Sequence, residues 1–438
     1  MKTCRVIYSV LIVLIVFFLP SILLSYSPLD NSETFCLDNG LKVILKEDHE
    51  MPLVSFQVWV KAGSIDENAE INGISHFMEH MMFKGTENFS TGEISRNVES
   101  WGGVINAATS DEYTFYYISI PSEAQNTALE ILYEISSKSI FSEEELERER
   151  LVIIEEISRK EDNPNSAVWD VFRPLVYKNT PYKYSIIGSS DVINKISRED
   201  MVNYYREFYI PENISFIGVG DLKTKELLKT LNNTFGQIEA KNPSGRPSLI
   251  EPDHLGEIKH KTKSVNQTYF LGGFLGPTLQ SQDQYALDIL SIILGQGRSS
   301  RLYQHIYENK QLVWSISSSF YTNVGSGLFI VSANIKENKT DDFIKELKLQ
   351  IQELKNIPPA KKEVMRAKKL LKTQFILGNE TYNSQANTIG YYALYEQEEF
   401  LRKYEKNIMR VTPADVVKAA NKYLQIENIN IAVLEPEK

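Results

Sequence analysis

Cysteine is almost missing from this chain of 438 residues: Cys4 and Cys36 are the only two. With Cys4 ahead of an apolar run, Cys36 stands alone, which excludes an intramolecular disulfide framework and a cysteine-type metal site. Positive charge is in deficit, with 47 Lys and Arg against 57 Asp and Glu, net −10. That balance argues against a nucleic-acid protein and is compatible with basic or unstructured peptide partners. Long apolar runs are absent after the first two dozen residues, so nothing else reads as a membrane span. Histidine is scarce too, six in all. What is present is the composition of a folded protein, 42% hydrophobic and 11% aromatic, long enough for two or three domains.

The one long apolar run covers 6–24, behind Lys2 and Arg5 and interrupted by Ser9, Pro20 and Ser21. A charged start followed by an apolar stretch is an export signal. No A-x-A site follows. Residues 1–27 are therefore expected to be a signal peptide or a retained N-terminal anchor, placing the protein in the periplasm or outside the cell, with membrane contact only through this segment. The segment lacks the Arg-rich amphipathic character of a mitochondrial presequence.

Two of the six histidines stand in His76-Phe77-Met78-Glu79-His80. The surrounding pattern predicts a helix over 73–83, with Gly85 past its end. On a helix, positions i and i+4 share a face, so the two imidazoles can grip one metal ion while Glu79 stays beside it. H-x-x-E-H is the inverzincin arrangement of a zinc peptidase. A catalytic zinc needs a third protein ligand and an open position. The acidic segment 143–157 offers candidates. Most of its Glu read as a solvated helix face, but Glu149 and Glu156 are two turns apart, with Val152 and Ile153 between them. Carboxylates on an apolar stripe are costly to bury without a metal or charge partner.

Asn39-Gly40 marks a hairpin turn within 35–45. Alternation predicts a strand near 54–60, and the run 104–120 reads as another. Helices are expected over 91–100, 122–137 and 142–159. Residues 237–254 carry Asn-Pro-Ser-Gly-Arg-Pro and Glu-Pro-Asp, the composition of a linker. Beyond it the order repeats: a strand from Tyr269, a helix over 286–294, a strand over 328–333, then helices over 341–354 and 360–377. This reads as an internal duplication of an α+β domain: a first domain over 30–240, a linker at 241–255 and a homologous second domain over 256–438. Aligning Gly85 with Gly295 sets Ala286, Ile289 and Leu290 opposite His76, Glu79 and His80, so the second half carries no metal ligands.

On these motifs the chain, from about 33 to 435, resembles the pitrilysin/insulysin family of zinc metallopeptidases, which includes the mitochondrial processing peptidase β subunit and bacterial two-domain relatives. The resemblance implies two α/β-sandwich domains forming half of a clam shell. In the family a Glu about 76 residues beyond the motif completes the zinc site, which falls on Glu156. It further implies one Zn2+ per chain held by His76, His80 and Glu156, Glu79 as general base toward water, and Glu149 as a supporting residue. Asn106 and Ala107 are implied to line a substrate cleft at a strand edge. The implied activity is endopeptidase cleavage of peptides or unfolded segments.

One part of the family pattern is missing. Many members carry an Arg and a Tyr seven apart in the second half, and here Tyr307 and Trp314 occupy those places. Neither supplies cationic stabilisation to a developing oxyanion. The expectation is a partner, a homologous subunit in a heterodimer or a second copy, that supplies the pair; the alternative is that Arg301 or another nearby residue substitutes within the chain. Rival readings are a non-hydrolytic assembly subunit and a peptide-binding protein of the same fold.

Overall fold

The structure, a computed structural model, describes residues 26–246 and 248–437. The apolar run 6–24 lies outside the described residues, and among those described no helix is long and apolar enough to cross a membrane.

The first half runs β1 (Ser32–Cys36), β2 (Lys42–Glu47), β3 (Leu53–Val60), α1 (Ile74–Met81), α2 (Glu93–Ser100), β4 (Val104–Thr109), β5 (Thr114–Pro121), α3 (Gln125–Ser137), α4 (Glu143–Asp162), α5 (Pro164–Val176), α6 (Ser190–Ile193), α7 (Arg198–Phe208), β6 (Ile214–Gly220) and α8 (Thr224–Asn233). The second runs β7 (Ile258–Lys263), β8 (Thr268–Gly276), α9 (Gln284–Gly295), β9 (Val313–Tyr321), β10 (Gly327–Ile335), α10 (Thr340–Asn356), α11 (Lys361–Leu377), α12 (Tyr382–Leu394), α13 (Glu398–Arg410), α14 (Pro413–Tyr423) and β11 (Asn430–Pro436).

The two sheets have the same wiring. Their orders are β1-β2-β6-β3-β5-β4 and β7-β11-β8-β10-β9. In each, one parallel pair (β2 with β6, β7 with β11) is followed by antiparallel pairs. The two halves thus share one strand wiring, with β1 as an extra edge strand. Residues 104–120 are not one strand. The chain reverses at Ser110–Tyr113, where Ser110 N donates to Tyr113 O at 2.8 Å, and β4 pairs back on β5 with Thr109 opposite Thr114. The reversal is fixed by two acids: Asp111 takes the Arg173 guanidinium, and Glu112 takes the Tyr182 hydroxyl.

Each sheet carries helices of its own half on one face and a single helix of the other half on the opposite face. Helix α5 packs on β8 and β11, and α12 packs on β3 and β6. Val168 and Phe172 of α5 are buried among Leu271, Leu328, Ala432 and Leu434; Ala386 and Ile389 of α12 are buried against Ile44, Trp59 and Ile217. Two glycines permit the approach. A Cβ at Gly273 would lie 2.6 Å from Phe172 Cζ, and one at Gly390 would lie 2.2 Å from Trp59 Nε1. Among its described residues, 241–246 and 248–255, the connecting segment has no regular secondary structure but is docked. Arg246 makes two 2.7 Å bonds to Asp66, Leu249 is buried, and Glu251 accepts from the backbone of Asn179 and Thr180.

Candidate metal centre

Helix α1 presents the motif because its other face is core. Ile74, Phe77, Met78 and Met81 are fully buried, which turns His76, Glu79 and His80 the other way, half-buried. Its start is set by Gly73 in the left-handed region, φ +98°. The first turn has no cap from its own N-cap side chain. Instead the buried Glu67 carboxylate accepts from Gly73 N at 2.7 Å and Ser75 N at 2.9 Å, satisfying two of the free N–H groups of a helix start. Helix α4 runs alongside, started by Ser142 Oγ accepting from Glu145 N. Its Ile153 and Ile157 enter the core. Val152 does not share that stripe and is exposed.

The two helices bring three predicted residues together. Ligand atoms of His76, His80 and Glu156 all lie within 4.8 Å of one another. Glu156 Oε2 is 3.8 Å from His76 Nε2 and 3.6 Å from His80 Nε2. Two imidazole nitrogens and one carboxylate facing a common point are the donor set of a three-ligand zinc site with a position left open. His76 Nδ1 is buried with no hydrogen-bond partner. Burial, with His80 adjacent, pushes the His76 pKa down to about 4, which keeps the ring in the neutral form that binds metals.

Glu149 reaches this centre through His80. Its Oε2 lies 3.1 Å from His80 Nδ1, and its Oε1 accepts from Lys84 Nζ at 2.6 Å. Burial alone would raise its carboxyl, but the bonds from His80 and Lys84 outweigh that and hold it below the usual range. For His80 burial is again the largest effect and lowers it; the Glu149 bond and the fields of Glu156 and Glu79 outweigh it and raise the ring. Glu79 is shifted upward, first by burial and further by Glu156. Its Oε2 accepts from Thr109 Oγ1 at 2.5 Å.

Thr109 and Lys84 were not among the residues expected here. Thr109 ends β4 in the same Asn-Ala-Ala-Thr-Ser run that carries Asn106 and Ala107, and Lys84 follows His80 by four residues, just past the end of α1. Asn106 and Ala107 lie on β4, the edge strand of the first sheet, opposite Tyr117 and Tyr116 of β5. The Asn106 side chain is exposed, and its Oδ1 accepts from Ala107 N at 2.9 Å. In the second half, α9 takes the place of α1, and Ala286, Ile289 and Leu290 are buried. Trp314 faces solvent with Lys336 over its ring, Tyr307 stacks on Tyr303, and Arg301 is held by Glu363. A cavity of about 620 Å³ opens beside His76, between α5 and the loop after β9; Arg301, Tyr307 and Trp314 do not line it.

Comparison with known proteins identifies the family. Residues 42–190 match the family described as "Insulinase (Peptidase family M16)", and 195–371 match "Peptidase M16 inactive domain". A Bacillus subtilis protein named uncharacterized zinc protease YmxG is 31% identical over 81% of this chain and 86% of its own length. A probable β subunit of the mitochondrial-processing peptidase of Arabidopsis thaliana is 29% identical over 91% of this chain and 77% of its own. The crystal structure of a protease from Helicobacter pylori superposes with a TM-score of 0.89 at 26% identity, covering 94% of this chain and all of that one. The chain, with its paired sheets and its H-x-x-E-H helix facing Glu156, belongs to the insulinase (M16) family of peptidases.

Proposed function

We propose that the protein is a zinc-dependent endopeptidase acting on peptides or unfolded segments. The observation that carries this reading is the convergence of His76 Nε2, His80 Nε2 and Glu156 Oε2, with Glu79 on the same helix face. These three residues would hold the metal. Zinc would supply Lewis acidity there, lowering the pKa of water toward ~7 and polarising a carbonyl. Glu79 takes a proton from water and returns it to the leaving amine. Thr109 holds one of its oxygens, which leaves the other to carry the proton. Glu149 accepts from His80 Nδ1–H, which fixes the tautomer and leaves Nε2 as the lone-pair nitrogen. The open side of β4 at Asn106 and Ala107 is where an extended peptide adds as a further strand. The apolar run 6–24 supports work outside the cytoplasm, after cleavage of the leader or with the leader as anchor.

The test is Glu79→Gln. The variant is expected to keep one zinc per chain and to lose roughly 10²- to 10⁴-fold in kcat on an unstructured peptide, the usual share of a general base. Full activity in the variant, or wild-type cleavage that survives a metal chelator, would sink the assignment.

A further inference from the structure

We propose that the exposed face of α11, with the neighbouring end of α13, is a contact surface for an anionic phospholipid bilayer, the one that holds the apolar run 6–24. The inference stands apart from the peptidase reading and adds a second membrane contact to the run itself.

The charge of α11 is opposite to that of the chain. Residues 361–377 carry six Lys and Arg against one Glu, in a protein of net charge −10. Val364, Ala367 and Lys368 are turned into the protein. Lys362, Met365, Lys369, Thr373 and Ile376 are exposed and recur three or four residues apart, which puts them on one side of the helix. Lys361 and Leu377, also exposed, extend that side at its two ends. Helix α13 is tied to α11 by Lys368 Nζ, which donates to Met409 O at 2.8 Å, and it adds exposed Lys406, Met409 and Arg410. The acids of both helices are engaged: Glu363 with Arg301, Glu398 with Lys42, Glu399 with Lys403 and Glu405 with Lys372. Basic side chains interleaved with Met, Ile and Leu match an anionic headgroup layer, where the cations meet phosphates and the apolar groups enter between them.

The place of the run favours a bilayer over an acidic protein as the occupant. Leu24, the last residue of the run, is two residues before Tyr26, a reach of at most about 7 Å. Tyr26 is docked on these same two helices. Its N donates to Glu405 Oε2 at 2.9 Å, its OH donates to Asn379 O at 3.3 Å, and its ring meets Phe375 edge to face at 6.1 Å. Phe375 and Asn379 flank Ile376 and Leu377 in the chain, so the apolar end of the exposed face lies beside Tyr26. A run held in a bilayer therefore brings this face to headgroup depth with no linker between them.

The test separates the face from the run. The full chain carries Leu11→Gln, Leu14→Gln and Phe18→Gln, which make the run too polar to insert. It is sedimented with vesicles of phosphatidylcholine alone, or of phosphatidylcholine and phosphatidylglycerol in equal parts. Binding is expected to the mixed vesicles only, and to weaken with added salt. Lys361→Gln, Lys362→Gln and Lys369→Gln are each expected to lower the partition coefficient roughly 5-fold, the weight of one basic side chain at an anionic surface. Lys225→Gln and Lys229→Gln, at exposed positions of α8 in the first half, are expected to leave it unchanged. Equal binding to neutral vesicles, or equal losses at α8 and α11, would overturn the surface. Absence of binding to the mixed vesicles would also overturn it and leave the face to an acidic protein. In a second measurement the run is left intact, Cys4 and Cys36 are replaced by Ser, and a fluorophore is placed on Met365→Cys or on Leu151→Cys of α4. A lipid-borne quencher in the mixed vesicles is expected to quench the first site and spare the second; equal quenching at both would count against the proposal.

Discussion

Glu149 has both oxygens in use, one beside His80 Nδ1 and one under the Lys84 ammonium. Its effect on the metal is therefore indirect, through the basicity and orientation of the His80 ring. Glu149→Gln keeps the shape and removes the charge, and its amide nitrogen must face either the imidazole or the ammonium. Zinc affinity is expected to fall roughly 10- to 100-fold, the usual cost of losing such a partner, with the fold intact. Competition against a fluorescent chelator measures it; affinity equal to wild type would reduce Glu149 to a packing role. The spacing of His76, Glu79 and His80, and of Glu149 and Glu156, was legible in the sequence because helical periodicity alone puts those groups on shared faces. Thr109 was not legible as a partner of Glu79. That contact exists only because β4 passes beside α1, and strand alternation says which way a side chain points without saying what lies there.

Helices α1 and α9 occupy the same step of two identically wired sheets, and their contrast separates scaffold from chemistry. The α9 helix is buried nearly all round, and it keeps one acid, Asp288, opposite Met78 in the alignment of the halves. Asp288 is half-buried, with Tyr404 OH as its donor at 2.9 Å, and desolvation pushes its pKa up to about 7. An unfolded Asp titrates near ~3.9, so the folded state holds this proton more tightly than the unfolded chain. The contribution to stability is then most favourable below about pH 4 and is lost as pH rises to about 7. Asp288→Asn is expected to raise Tm relative to wild type at pH 8 and to change it little at pH 4. Thermal melts at the two values check this; an equal shift at both would mean that ionisation plays no part. The helices themselves were readable from apolar spacing, as α1 and α10 show. The hairpin at Ser110–Tyr113 was not, because Thr-Ser-Asp-Glu-Tyr interrupts the strand pattern only briefly. The exchange of α5 and α12 was invisible for a deeper reason: an amphipathic helix announces that one face is buried and does not name the sheet that buries it.

That exchange governs the whole molecule. Each sheet is closed by a helix of the other half, and Arg246 and Glu251 pin the connecting segment to the first half. Separating the halves would expose Phe172 and Trp59 together, so a clam shell that opens within one chain is disfavoured by a large apolar area. We propose that a chamber enclosing a peptide forms against another chain. The side chains point the same way. Arg301, which could have replaced the missing family Arg, is committed to Glu363, and Arg173, the arginine lining the cavity beside His76, is committed to Asp111. The source of a cationic oxyanion partner that we propose is a second subunit, either another copy of this chain or a homologue. If a second copy serves, specific activity is expected to fall on dilution, in the same concentration range where sedimentation shows the dimer dissociating. If a homologue serves, the purified chain should bind zinc, cleave weakly at every concentration and gain at least about 10-fold on addition of that subunit, the scale of a lost transition-state donor. Full, chelator-sensitive activity that stays constant through dilution to a monomer would show that one chain suffices, and Arg173 would then have to leave Asp111 during turnover.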